Sequence, residues 1–100
     1  MNVYEALAEP HRRRIIEMVG DGERTAGEIG GALTLSQPGV SKHLRVLREA
    51  GLVRVRKDAQ RRLYSLRPEK LAELDAWLEP YRRFWVGKLD ALTDHLMRES

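Results

Sequence analysis

The sequence predicts a mainly α fold with one β-hairpin. Apolar residues recur at helical spacing over most of the chain, as in Ile15, Ile16 and Val19 or Val40, Leu44 and Leu47. One stretch, from Leu52 to Lys57, alternates apolar and basic residues instead and is followed by a polar turn. Capping signals stand at the helix starts and glycines at the ends. A chain of 100 residues fits one domain with a modest core, and a domain this small is often stabilised by association. The expected organisation is a single unit over residues 1–100, with a core at 1–66 and a C-terminal dimerisation helix or helices at 67–100.

Asn2, with Glu5 at the third helical position, opens a short helix through Leu7 and Ala8. Pro10 suits the first turn of a second helix, which Gly20 closes. Residues 20–23 are a loop, and Thr25-Ala-Gly-Glu28 is a capping box for a short helix with Ile29 and Leu33 inward. Thr34-Leu35 makes a brief turn. Ser36 caps the next helix and Pro38 is tolerated in its first turn. Gly51 ends that helix in the left-handed conformation, followed by Leu52. Leu52 to Lys57 is a strand, residues 58–61 the turn, and Arg62 to Leu66 the return strand. The tail is helical from Pro68, with Leu71, Leu74, Leu78, Tyr81, Trp85, Leu89, Leu92 and Leu96 in a near-heptad stripe. Pro80 is expected to kink or divide it near Glu79.

The net charge of +3 conceals an uneven distribution. Ser36 to Arg62 carries eight Lys/Arg and two acidic residues, a balance of +6, against −3 for the remainder. A basic stripe on an acidic body is the footprint of a polyanion binder, although a solvated face has the same composition. A short capped helix, a tight turn and a second helix form a helix-turn-helix, and a following hairpin adds a wing. With Val40, Leu44 and Leu47 inward, Pro38, Ser41, Lys42 and Arg45 point outward, with Gln37 at the leading end. Amides and cations on such a helix suit base edges in the major groove. The wing adds Arg56, Lys57, Gln60, Arg61 and Arg62. The candidate DNA-binding set is therefore Ser36, Gln37, Ser41, Lys42, His43, Arg45 and these five wing residues. His43 lies beside the buried arc, where either packing or a phosphate contact is open to it.

The stretch LSQPGVSKHLRVLREAGLVRVRKDAQRRLYSL resembles the ArsR/SmtB family of bacterial winged-helix repressors, as do ALAEPHRRRIIEMV and TAGEIGGALTLS before it. The resemblance is close over residues 3–66. It departs from the family pattern at Gly39, a position often held by a hydroxyl residue, and in a wing turn without glycine. DAWLEPYRRFWVGKLDALTDHL looks like the dimerising tail of members that lack metal sites. The resemblance implies a homodimer, paired through its N- and C-terminal helices, that binds double-stranded DNA at a pseudo-palindrome and represses transcription; the absence of cysteine fits a cytoplasmic protein. Its interface would use Tyr4, Leu78, Tyr81, Trp85, Leu89, Leu92 and Leu96.

Other functions have less support. With no cysteine, disulfides, thiolate metal sites and cysteine catalysis are excluded. Metal-sensing relatives use cysteines near the helix before the turn, or a spaced Asp/His set on the C-terminal helix. Here the tail holds only His95, near Asp90, Asp94 and Glu99, so neither metal nor cofactor is expected, and a metal-responsive regulator stays the alternative. His11 is read as a surface residue, and Arg12, Arg13 and Arg14 as partners for acidic neighbours. Trp77, Phe84 and Trp85 suit a subunit seam or a ligand pocket. No acid orients a histidine toward Ser36 or Ser41, so an enzyme is not expected. A protein-interaction module would need an apolar outward face on the recognition helix, where Lys42 and Arg45 stand instead. No apolar run with a cleavage site opens the chain, and no stretch is long enough to span a membrane.

Overall fold

The computed structural model describes residues 1–99, the side chain of Glu99 excepted. Helix α1 (Val3–Leu7) starts where Asn2 accepts a hydrogen bond from the Glu5 amide. Helix α2 (Pro10–Gly20) is capped by the Glu9 carboxylate, which accepts from the Arg12 amide at 3.0 Å. Gly20 is its last helical residue rather than a left-handed stop, and Asp21 is the cap. A five-residue helix leaves its final carbonyls without intrahelical donors. Arg12 and Arg13 supply them: Arg12 donates to the carbonyls of Ala6 and Glu5, and Arg13 to those of Leu7 and Ala8. The partners expected for these arginines were acidic side chains; the orphaned carbonyls of α1 take that place.

Helix α3 (Ala26–Leu33) opens on the full capping box of Thr25 and Glu28. Thr34 then turns the chain in the left-handed region, φ 52°, and Ser36 caps α4 (Gln37–Glu49). At Gly30 an added Cβ would lie 3.1 Å from Val40 Cγ2, so a residue without one lets α3 and α4 pack closely. At the end of α4, the Leu52 amide donates to Leu47 and the Gly51 amide to Arg48, a Schellman turn with Gly51 at φ 78°.

Strands β2 (Val53–Asp58) and β3 (Arg61–Leu66) pair antiparallel around Ala59-Gln60, a turn two residues tighter than the sequence suggests. Ala59 takes φ 57° without being glycine. The sheet is not a lone hairpin. Arg24–Thr25 forms β1, which pairs with the far edge of β3 to give the order β1-β3-β2. This placement explains the blurred alternation at Leu63-Tyr64. As the central strand, β3 is paired along both edges, and the side chains of Leu63 and Tyr64, on opposite faces, are both buried.

A 3-10 turn (Pro68–Lys70) leads into α5 (Leu71–Glu99). The helix is neither divided nor ended at Pro80. A helix of 29 residues is about 43 Å long, which accounts for the 62 Å long axis of the chain. Leu71 packs on the core and Trp77 meets Tyr4 of α1 edge-on at 6.2 Å. Beyond that α5 leaves the body. The core itself joins Val3, Ala6, Ile15, Val19, Ile29 and Leu33 to Val40, Leu44, Leu47, Leu52, Val53 and Tyr64.

Gly51 is the position where a side chain is excluded twice, by its backbone conformation and by Lys70 Cγ at 3.1 Å from an added Cβ. Gly51→Ala should lower the unfolding free energy by about 1 kcal/mol, read as an earlier urea midpoint at unchanged slope.

Candidate nucleic-acid interface

The outward face of α4 follows from its buried one. Val40, Leu44 and Leu47 are 2%, 1% and 0% exposed, which turns Ser41, Lys42, Arg45 and Arg48 to solvent. Three concavities run along that face. Pro38, Ser41, Lys42 and Arg45 line the first, of about 380 Å³. Arg45, Arg48, Glu49, Val53, Arg54, Val55 and Arg67 line the next, about 440 Å³. Arg48, Val55, Arg56, Lys57 and Arg62 line the third, about 370 Å³. They adjoin at Arg45, Arg48 and Val55, which gives a basic surface, called the groove below, between α4 and the wing. Six of the eleven sequence candidates, Ser41, Lys42, Arg45, Arg56, Lys57 and Arg62, line these concavities; Ser36, Gln37, His43, Gln60 and Arg61 do not. Arg48, Arg54 and Arg67 were missed, although Ser41, Arg45 and Arg48 fall on one helical face at spacings of four and three.

The cations of the groove differ in what holds them. Arg56 makes a two-pronged ion pair with Glu23, at 2.6 and 2.8 Å. Its hydrogen bonds hold the Glu23 carboxyl below the usual range and raise the guanidinium further. Arg61 pairs with Asp58 at 3.0 Å, and Arg54 lies 3.9 Å from Glu69. Among the described residues, Lys42, Arg45, Arg48, Lys57, Arg62 and Arg67 have no acidic partner within salt-bridge distance. Lys57 and Arg62 also stand directly opposite each other across the hairpin. Like charges so placed repel, and an anion between them relieves the cost.

The cap Ser36 and the first helical residue Gln37 lie at the leading end of α4. The Ser36 hydroxyl accepts from the Gly39 amide at 3.3 Å, and Gln37 is exposed beside it. Gln60 is exposed at the wing tip. His43 does not share the outward face. Its side chain is 16% exposed, stacks on His11 with centroids 5.7 Å apart, and sits 3.9 Å from the Glu9 carboxylate. The Arg12 guanidinium approaches the same ring at 3.5 Å. Burial, helped by Arg12 and opposed by Glu9, holds the His43 imidazole below its ordinary pKa. Of the two roles open to His43, packing is therefore the one its surroundings favour, and the helical arc places it against α2 rather than toward the groove. The partial burial of Glu9 tends to raise its carboxyl, but hydrogen bonds from His11 and the Arg12 amide prevail and lower it.

A helix-turn-helix with a three-stranded wing and an outward basic groove defines a winged-helix nucleic-acid-binding module. A family model described as a helix-turn-helix domain matches residues 7–56. The HTH-type transcriptional regulator Rv2034 of Mycobacterium tuberculosis is 42% identical over 86 residues, covering 86% of this chain and 78% of that protein. The transcriptional repressor SdpR of Bacillus subtilis is 32% identical over 77% of this chain and 86% of its own length. The crystal structure of a possible transcriptional regulator for arsenical resistance superposes with a TM-score of 0.69 at 43% identity, covering 89% of this chain and 90% of that one. The chain belongs to the ArsR/SmtB family of winged-helix transcriptional regulators. It is a DNA-binding regulator of transcription.

Proposed function

We propose that the chain acts as a cytoplasmic homodimeric repressor that binds a pseudo-palindromic operator, as one unit of core and dimerising tail. The three adjoining basic concavities between Pro38 and Arg67, with six lining cations that have no acidic partner among the described residues, are the observation that carries the reading. The residues for base or nearby phosphate contacts are Gln37, Ser41, Lys42 and Arg45, with Ser36 at the helix start. Lys57 and Arg62, joined by Gln60, hold a neighbouring phosphate or the minor groove. Arg48 bridges the two sets. Arg56 and Arg61 serve the wing first through Glu23 and Asp58, and reach DNA only by exchanging those partners. The repressor relative SdpR supports the direction of regulation. A protein-docking role has less support, because none of the large exposed apolar side chains lies on α4.

The dimer reading rests on α5. Tyr81, Trp85, Leu89, Leu92 and Leu96 are 49–61% exposed on one stripe, with Tyr4 at 45% and Leu78 half-buried nearer the body. Trp77, Phe84, Val86 and Met97 are also more than half exposed. Apolar surface of this extent marks an interaction site. A second copy satisfies it symmetrically and sets two recognition helices about 34 Å apart, one turn of duplex.

Selection of bound duplexes from a random pool should return inverted half-sites about one turn apart. Arg45→Ala should then cost about 1–3 kcal/mol and relax preference at particular base pairs; an equal loss on every sequence makes Arg45 a phosphate contact. Affinity for the selected site should fall linearly on a log–log salt plot, by about 0.9 per phosphate neutralised, and Arg48→Ala should reduce that slope by about 1. Trp85→Glu should yield monomers in sedimentation, because it places a charge in an apolar seam.

A further inference from the structure

Glu9, His11 and His43 each offer one ligand atom to a common point, and the three atoms lie within 4.8 Å of one another. The set joins the N-terminus of α2 to the middle of α4. Glu9 Oε1 is 2.9 Å from His11 Nδ1, and its Oε2 is 3.9 Å from His43 Nδ1. Zinc bonds of about 2.0–2.2 Å to nitrogen and oxygen, arranged tetrahedrally, separate neighbouring ligand atoms by about 3.3 Å. The two separations run to different Glu9 oxygens and the three ligand atoms spread over up to 4.8 Å, so the side chains must draw together around an ion, which His11, exposed in the first turn of α2, has room to do. Two imidazoles and a carboxylate are ligands that divalent transition metals of the zinc type accept, with solvent in the fourth position.

The surroundings are partly prepared for such an ion. Glu9 is fixed by the Arg12 amide on the oxygen nearer His43. The Arg12 guanidinium is the competing group, 3.5 Å from His43 Nδ1, but its other nitrogens are held at 2.6 and 3.2 Å by the Ala6 and Glu5 carbonyls. A metal has to replace the 2.9 Å His11–Glu9 hydrogen bond and the 3.5 Å Arg12–His43 contact, and the Glu9 carboxylate is the charge that offsets the neighbouring guanidinium. The place differs from both arrangements named for metal-sensing relatives, neither the helix before the turn nor the tail.

We propose that Glu9, His11 and His43 form a binding site for one divalent transition-metal ion of the zinc type. An ion there ties the recognition helix to α2 from the side opposite the groove.

The test is made on the untagged, DNA-free full chain. Zinc titration in a calorimeter should give one ion per chain at micromolar affinity, and cobalt(II) should give the visible absorption of a tetrahedral site. His11→Ala, an exposed position whose fold is checked by circular dichroism, should weaken zinc at least tenfold and abolish the cobalt band. His95→Ala should change neither. Absence of zinc heat and cobalt absorption in the wild-type chain overturns the proposal. So does a His11→Ala chain that binds as the wild type does, or a loss caused by His95→Ala. None of these readouts involves DNA, so their failure is separate from any failure of operator binding.

Discussion

Burial of Val40, Leu44 and Leu47 is the constraint from which the remaining arrangement follows. Each removes an aliphatic side chain from water, worth roughly 1.5–3 kcal/mol apiece by transfer. An α-helix turns 3.6 residues per revolution, so fixing those three positions fixes every other one. Ser41, Lys42, Arg45 and Arg48 are exposed because their neighbours are not. The same burial leaves His43 at the boundary, facing α2. Gly30 serves the contact from the other side, by letting α3 approach close enough for Val40 to be covered.

Electrostatics then sorts the cations that packing exposes. A chain of net charge +3 has enough carboxylates to neutralise many of its arginines. It uses several of them to shape the scaffold: Glu23 on Arg56, Asp58 on Arg61, Asp75 and Glu79 on Arg82. The groove retains the cations left over. Exposed pairs of this kind contribute little stability. Glu23 instead joins the loop before β1 to the wing strand and helps set the angle at which the wing leaves the body.

Much of this was legible in the sequence, for reasons that differ by element. Helix α4 announced itself through a cap, a three-residue apolar arc and a glycine stop, all local signals. The position and cationic outward face of the groove followed from that arc. Strand β1 was not legible, because two residues carry no period and its pairing with Tyr64 and Leu63 is decided at long range. Of the two outcomes expected at Pro80, a kink or a division, the division does not occur, since the helix continues on either side of the hydrogen bond that proline removes. Arg12 and Arg13 were assigned acidic partners because an orphaned carbonyl is invisible until the length of α1 is known. Glu9, His11 and His43 lie more than thirty residues apart at their widest, and only the crossing of α2 with α4 brings them together.

The turn at Gly51 has a mechanical consequence. Between the last helical residue of α4 and the first residue of β2 there are three residues, and all three of their amides are tied back into the helix while the Arg67 amide donates to the Leu52 carbonyl from the far side. Such a short, doubly fastened joint has no slack. If α4 and the wing grip a duplex as proposed, this joint resists a change in the angle between them, and a misfit with a groove of different width falls to the nucleic acid. Flexible steps in the duplex would then be favoured at positions no side chain touches.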